Sequence, residues 1–259
     1  MHKLERKAKI LEILALRGYC ATEELAGSLD ISQTTLYRDI KELEEAEAIE
    51  RQYGGIGLPR RFITNVDFKV RETANIAAKE AIAARAIRLI EPGDSLFLDT
   101  GTTCLILARQ LRECKIPNLT VITNSCRLVL MLEDTPDCRV ICTGGVHLKT
   151  LDVLVGSPAE EFVQSLHPRK YFIAAASVSA QGCADTEPAE VKLKQLVARQ
   201  AQQRIVLADH TKFDLLATFQ TIKTADIDIF VTDALTPAEK LAPLADVGVQ
   251  IIRAAEQRG

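Results

Sequence analysis

Tryptophan is absent from the 259 residues, aromatic side chains make up 5%, and only two methionines and four histidines occur. None of the histidines (His2, His147, His167, His210) has another at i+4, so no helical pair of metal ligands is spelled out. The seven cysteines (Cys20, Cys104, Cys114, Cys126, Cys138, Cys142, Cys183) are odd in number, scattered and without a C-x-x-C pair. Most lie in apolar runs, where a free thiol behaves as a small hydrophobe, so neither a disulfide framework nor a metal is expected. No apolar run approaches the 18 or so residues that a bilayer-crossing helix requires. The first residues, MHKLERKAKILEIL, interrupt their apolar positions with charge, unlike a signal peptide, and a cytoplasmic location is the expectation. G-x-G-x-x-G and Walker sequences are missing too, which counts against a nucleotide-binding protein; no cofactor is expected. A net charge of −3, with ten basic and eleven acidic residues in the first 61, gives no global sign of a nucleic-acid partner. Any such argument must rest on how the charges are sorted by face.

What is present is a composition of 47% hydrophobic and 26% charged residues, that of a globular chain long enough for a small and a larger domain. Residues 4 to 17 carry Leu4, Ile10, Leu11, Ile13, Leu14 and Leu16 at helical spacing up to Gly18. Thr22 is placed to cap a second short helix that ends at Asp30. A third helix starts after Ser32, with Leu36, Ile40 and Leu43 on one stripe. Its other face, in the first two turns, offers Gln33, Thr34, Tyr37, Arg38 and Lys41, with Asp39 the only carboxylate, while Glu42, Glu44, Glu45, Glu47 and Glu50 follow later. Polar and cationic groups gathered at a helix N-terminus suit entry into the major groove of DNA. AIERQYGGIGLPRRF then reads as a hairpin wing turning at Gly54-Gly55, with Arg51, Arg60 and Arg61 placed for the DNA backbone or minor groove.

From Arg71 the composition shifts. ETANIAAKEAIAARAIRLI predicts one long Ala-rich helix linking to a second part, and beyond it strand-like and helix-like segments alternate. The strands SLFLD, LTVIT, CRVIC, YFIAAAS, RIVLAD, DIDIFVTD and VQIIRA are continuous apolar runs, as in a parallel sheet covered by helices on both faces. The expected architecture is therefore an N-terminal winged helix-turn-helix (residues 1–60), a linker (61–75) and an open, mostly parallel α/β domain (76–259). In such sheets ligands bind beyond the carboxyl ends of the strands. Those ends carry Asp99, Thr100, Gly101, Thr102 and Thr103; Thr123, Asn124 and Ser125; Gly144 and Gly145; and Asp209 and Lys212, with Glu190 and Lys194 at i, i+4 on a nearby helix. A small-residue turn opening a helix can receive phosphate on free N–H groups. Together these residues predict a polar cleft in which Lys194 and Lys212 meet the phosphate of a polyhydroxy compound, and Asp99, Asn124 and Glu190 hold its hydroxyls.

The ordered motifs, from Glu23-Glu24-Leu25-Ala26 through Ile31-Ser32-Gln33-Thr34-Thr35-Leu36-Tyr37-Arg38-Asp39-Ile40 to Asp99-Thr100-Gly101-Thr102-Thr103 and Leu207-Ala208-Asp209-His210-Thr211-Lys212-Phe213, resemble DeoR-type transcriptional regulators over nearly the whole chain. That resemblance implies a winged helix-turn-helix whose Ser32, Gln33, Thr34, Thr35, Tyr37, Arg38 and Lys41 meet DNA. It also implies a sensor domain related in fold to sugar-phosphate isomerases and deaminases. The implied function is a repressor of a sugar or polyol operon, acting on a double-stranded operator as a dimer or tetramer and answering to a phosphorylated sugar. The family often has two consecutive arginines where this chain has Tyr37-Arg38, and a Gly-Ala-Asp-Gly run where it has YFIAAAS, so that Ala176 replaces an acid. Alanine cannot act as a base, which separates this chain from the alternative, an isomerase or deaminase with an accessory N-terminal module.

Overall fold

The computed structural model describes residues 3–17, 19–45, 48–52, 54–57, 61–62, 68–149 and 151–254. They divide into two compact units, residues 1–61 and 62–259. The first unit holds helix α1 (Lys3–Arg17), strand β1 (Tyr19–Ala21), helices α2 (Thr22–Leu29) and α3 (Gln33–Glu45), and strands β2 (Glu50–Gln52) and β3 (Gly55–Gly57). The three strands form one antiparallel sheet in the order β1-β3-β2, which is the wing. Its core is Ile10, Leu14, Leu25, Leu29, Leu36, Ile40, Leu43, Ile49 and Ile56, the stripes expected from spacing. Ser32 caps α3, its Oγ accepting from Thr35 N at 3.3 Å. Thr22 does not cap α2: it is the first helical residue, and Ala21 precedes it in extended backbone without a side-chain cap. Asp39 is not on the outer face either. It is 1% exposed and takes the guanidinium of Arg6 from α1, with Nη2 to Oδ1 at 3.0 Å. A buried carboxylate needs such a partner, and its withdrawal leaves the outer face of the first turns of α3 without negative charge.

Strand β4 (Arg61–Phe62) straddles the boundary, and the second unit continues with helices α4 (Phe68–Thr73) and α5 (Ile76–Ile87), strand β5 (Ser95–Leu98), helix α6 (Thr102–Cys114) and strand β6 (Leu119–Thr123). Helix α7 (Cys126–Leu132), strands β7 (Cys138–Cys142), β8 (Val146–Leu148) and β9 (Val153–Val155), helix α8 (Ser157–Gln164) and strands β10 (Lys170–Ala174), β11 (Ser177–Ser179) and β12 (Gly182–Asp185) follow. The chain closes with helix α9 (Pro188–Gln200), strands β13 (Gln203–Leu207), β14 (Leu215–Leu216), β15 (Phe219–Lys223) and β16 (Ile229–Thr232), helix α10 (Ala238–Ala245) and strand β17 (Gln250–Arg253). Seven of these strands form the expected sheet, all parallel, in the order β17-β16-β13-β10-β5-β6-β7. Two apolar clusters cover its faces. Leu96, Leu98 and Phe172 face Ile82, Ala86, Leu107 and Leu111 of α5 and α6, whereas Phe97, Tyr171 and Ile173 face Val163, Leu193, Val197 and Leu241 of α8, α9 and α10. This double burial is why the strands read as unbroken apolar runs.

Two features depart from expectation. The single linking helix is broken: Asn75 lies in the left-handed region (φ 51°) between α4 and α5, a conformation asparagine tolerates. Neither half is a mere connector, because Phe68 of α4 and Ala81, Ile82, Ala83 and Ala86 of α5 are buried in the core. Small antiparallel additions, β8 with β9 and β11-β12-β15, sit outside the parallel sheet. Their segments are too short for periodicity to register. Among the described residues no helix is long and apolar enough to cross a membrane.

Candidate functional site

On α3 the side chains of Ser32, Gln33, Thr34, Tyr37, Arg38 and Lys41 are exposed, as α3 keeps Leu36, Ile40 and Leu43 inward. Thr35 is half-buried, its hydroxyl 2.9 Å from that of Ser32. Tyr37 is 44% exposed. Arg51 pairs with Glu44 at 2.9 Å across an exposed surface. Arg60 lies outside the described residues, and for Arg61 only its place in β4 is described.

The second unit carries a cavity at the carboxyl ends of β5, β10 and β13. The chain runs outward through β5, β6 and β7 and then returns to place β10 on the other side of β5, so the strand order reverses there. Such a reversal opens a crevice. Gly101, Thr102 and Thr103 line it from the start of α6, Ala174, Ala175 and Ala176 from the end of β10, and Asp209, Thr211 and Lys212 from the end of β13. No side chain caps α6, leaving its first N–H groups without intrahelical partners. Gly101 is required by closeness: a Cβ there would stand 2.1 Å from Ala174 Cβ. Gly101→Ala is expected to push α6 off β10, lowering stability by about 1–3 kcal/mol in thermal unfolding.

Beneath this opening Lys194 of α9 stands among three carboxylates: Asp99 at 2.9 Å, Asp185 at 2.9 Å and Glu190 at 3.5 Å. Its Nζ also donates to the Ala174 carbonyl at 3.0 Å. Burial alone would lower the Lys194 ammonium, but Asp185, Asp99 and Glu190 outweigh it and hold it charged well above its ordinary range. Asp185 is pushed up to about 7, chiefly by burial, with Lys194 pulling it down and Glu190 and Asp99 pushing it up. Asp99 also accepts the Ala174 N–H at 2.9 Å, and Thr100 donates its hydroxyl to Glu190 at 2.8 Å.

A second group of charges comes from other elements. Lys79 of α5 is 2% exposed, lines the cavity and donates to the backbone carbonyl of Arg71 in α4. Burial lowers its ammonium to about 8; Asp209 opposes this, and Lys212 and Arg71 add to it. Arg71 and Lys212 line the same cavity. Asp209 accepts from Thr211 N at 3.0 Å and from Asn75 Nδ2 at 3.5 Å through Oδ1, whereas its buried Oδ2 has no partner among the described residues.

The T-N-S and G-G segments do not line this cavity. Thr123 donates to the Leu98 carbonyl at 2.8 Å, Ser125 caps α7, and Asn124 holds Leu154 through both its amide nitrogen (3.1 Å) and its backbone carbonyl (2.8 Å). Gly145 lets the backbone of β9 approach, since a Cβ would lie 2.7 Å from the Val155 carbonyl; Gly144 is exposed. These residues position the β8–β9 hairpin, whose turn brings Leu151 into the cavity wall. Three charged lining residues were not anticipated: Arg71, Lys79 and Asp185. Lys79 left a legible trace, since it shares a buried stripe with Ile82, Ala83 and Ala86 at i+3, i+4 and i+7. Asp185 left none, and it brings a carboxylate to Ala176. The carboxylate missing there arrives from β12, its Oδ1 accepting the Ala176 N–H at 3.0 Å.

Comparison with known proteins agrees with this division. The DeoR-like helix-turn-helix domain matches residues 6–62, and the DeoR C terminal sensor domain matches residues 74–234. The HTH-type transcriptional repressor GlcR of Bacillus subtilis is 31% identical over 100% of this chain and 99% of its own length. The regulator YgbI of Escherichia coli is 31% identical over 90% of this chain and 91% of its own. The lactose phosphotransferase system repressor of Lactococcus lactis shares 31% over 90% and 92%. Among solved structures, a D-ribose-5-phosphate isomerase in complex with phospho-erythronic acid covers 53% of each chain at TM-score 0.40 and 18% identity, too distant to bear on the ligand. With a DeoR-like helix-turn-helix ahead of a DeoR sensor domain, the chain belongs to the DeoR family of transcriptional regulators.

Proposed function

We propose that the protein is a cytoplasmic repressor of a sugar or polyol catabolic operon whose grip on DNA changes when a phosphorylated sugar fills the cavity. The observation that carries this reading is Lys79, a buried ammonium that faces a polar cavity and rests on a neutral carbonyl. With Arg71, Lys212 and Asp209 beside it, that end of the cavity holds a net charge of about +2, the complement of a phosphate dianion. Lys194 is less suited to the phosphate than its spacing suggested, because its donors are committed to carboxylates and a carbonyl. Thr102, Thr103, Glu190 and the open oxygen of Asp209 remain to take hydroxyls. Asp99, Thr100, Thr123, Asn124, Ser125, Gly144 and Gly145 serve the ligand by holding the walls. At the other unit Gln33, Thr34, Tyr37, Arg38 and Lys41 read base edges or nearby phosphates, Ser32 and Thr35 begin the helix, and Arg51, Arg60 and Arg61 meet the backbone. A homo-oligomer, dimer or tetramer, would present two such units to two half-sites.

A thermal-shift screen of the full chain against phosphorylated sugars and polyols tests this. A ligand at about 100 times its dissociation constant adds roughly 2.7 kcal/mol of stability, and Lys79→Ala is expected to remove the shift. A dianion beside Lys79 also raises that ammonium from about 8. Calorimetry at pH 8 in buffers of different ionisation heat should therefore detect uptake of about half a proton per site. Absence of any shift across the panel, or a full shift in Lys79→Ala, rejects the reading.

A further inference from the structure

The carboxylate end of the cavity holds more negative charge than its lysine neutralises. Asp99, Asp185 and Glu190 surround the single ammonium of Lys194, and all four side chains are buried. The lysine satisfies Asp99 and Asp185 at 2.9 Å but stands 3.5 Å from Glu190. Glu190 Oε1 takes the Thr100 hydroxyl. Both Glu190 and Asp185 line the cavity, on the wall made by α9 and the end of β12. A buried excess of negative charge is costly unless it is paired or takes up a proton. Asp185 shows the second outcome, drawn up to about 7 by burial and by its acidic neighbours.

We infer that the effector is a phosphorylated amino sugar, its phosphate at the Arg71, Lys79 and Lys212 end and its protonated amine against Asp185 and Glu190. This rests on the sensor reading above and narrows it. A carboxylate accepts hydrogen bonds from a hydroxyl as from an ammonium, so geometry alone admits both. Charge separates them. A hydroxyl leaves the excess where it was, whereas an ammonium cancels one unit of it and its hydrogen bonds are charge-assisted. With one positive and one negative end, the cavity is complementary to a zwitterion, and an N-acetylated ligand, bulkier and neutral at nitrogen, forfeits that complementarity.

The test is isothermal titration of the full-length protein at pH 6.5 with matched pairs: the 2-amino-2-deoxyhexose 6-phosphates of gluco, galacto and manno configuration, their 2-hydroxy counterparts, their N-acetyl forms, and inorganic phosphate. At least one amino compound is expected to bind tenfold or more tightly than its hydroxy and N-acetyl partners. In Asp185→Asn, and independently in Glu190→Gln, that ratio should fall towards one. Hydroxy or N-acetyl compounds that bind as tightly as the amine in every pair overturn the inference and leave the sensor reading standing. So does an amine preference that survives both substitutions. If no sugar phosphate binds and inorganic phosphate does not either, the sensor reading falls together with the inference.

Discussion

Lys194→Met is expected to lower the stability of the sensor domain by about 3–5 kcal/mol, because removing one partner of a buried ionic group strands the others. Three carboxylates would then share a buried site without a cation. In a domain of this size that corresponds to a fall of roughly 6–20 °C in the unfolding midpoint. The loss should depend on pH, and its sign follows from Asp185. Its folded value near 7 exceeds the ordinary 3.8 of an aspartate, so the folded chain keeps a proton that the unfolded chain has released. The stability so contributed is complete below about 4 and is lost as pH rises through about 7. Without Lys194, Asp99 and Asp185 hold their protons more tightly, which widens the window upward. The variant should therefore approach the parent protein near pH 4 and fall furthest behind above pH 7. Chemical denaturation at a series of pH values checks both size and direction; a deficit that is constant from pH 4 to pH 8 contradicts the charge arrangement. The double variant Lys194→Met, Asp185→Asn should recover part of the loss.

Arg38→Ala is expected to weaken operator binding by about 1–3 kcal/mol, roughly 5- to 150-fold, while leaving the unfolding midpoint and the response to ligand intact. Arg38 is exposed on the polar face of α3, one residue from the exposed ring of Tyr37 and away from the buried stripe, so its loss costs the fold little. If the guanidinium reads a base, specificity at one operator position relaxes. If it meets a phosphate, affinity falls across all sequences and the salt dependence loses about one unit of slope. Gel-shift titrations over a range of salt concentrations distinguish the two, and unchanged affinity would remove α3 from the interface.

Much of this architecture was legible because it follows from periodicity and burial. The unbroken apolar runs announced a sheet covered on both faces, and Leu36, Ile40 and Leu43 announced which side of α3 faces in. What escaped notice depends on where a side chain goes once the chain has folded. Asp39 sits among polar residues in sequence but turns inward to Arg6, a residue 33 positions away. Thr123 and Asn124 have the chemistry of ligand-binding groups and spend it on neighbouring strands. The break at Asn75 is set by one left-handed residue that an Ala-rich pattern conceals. A cavity does lie at the strand ends, and of the two lysines expected to meet a phosphate Lys212 lines it beside Lys79, whereas Lys194 is surrounded by carboxylates, which spacing cannot show.

The acid beside Ala176 has a bearing on how regulators of this kind are compared with one another. In this chain that carboxylate is carried by Asp185, nine residues further on, and reaches the position by crossing from an adjoining strand to the Ala176 N–H. Read along the sequence, position 176 offers no acid; in the fold, a carboxylate from another strand stands at its N–H. The residue at 176 alone therefore does not tell whether a carboxylate stands beside it. Grouping these proteins by what they sense calls for charge compared at equivalent places in the cavity, with residue identity at a fixed alignment position serving only as a first guide.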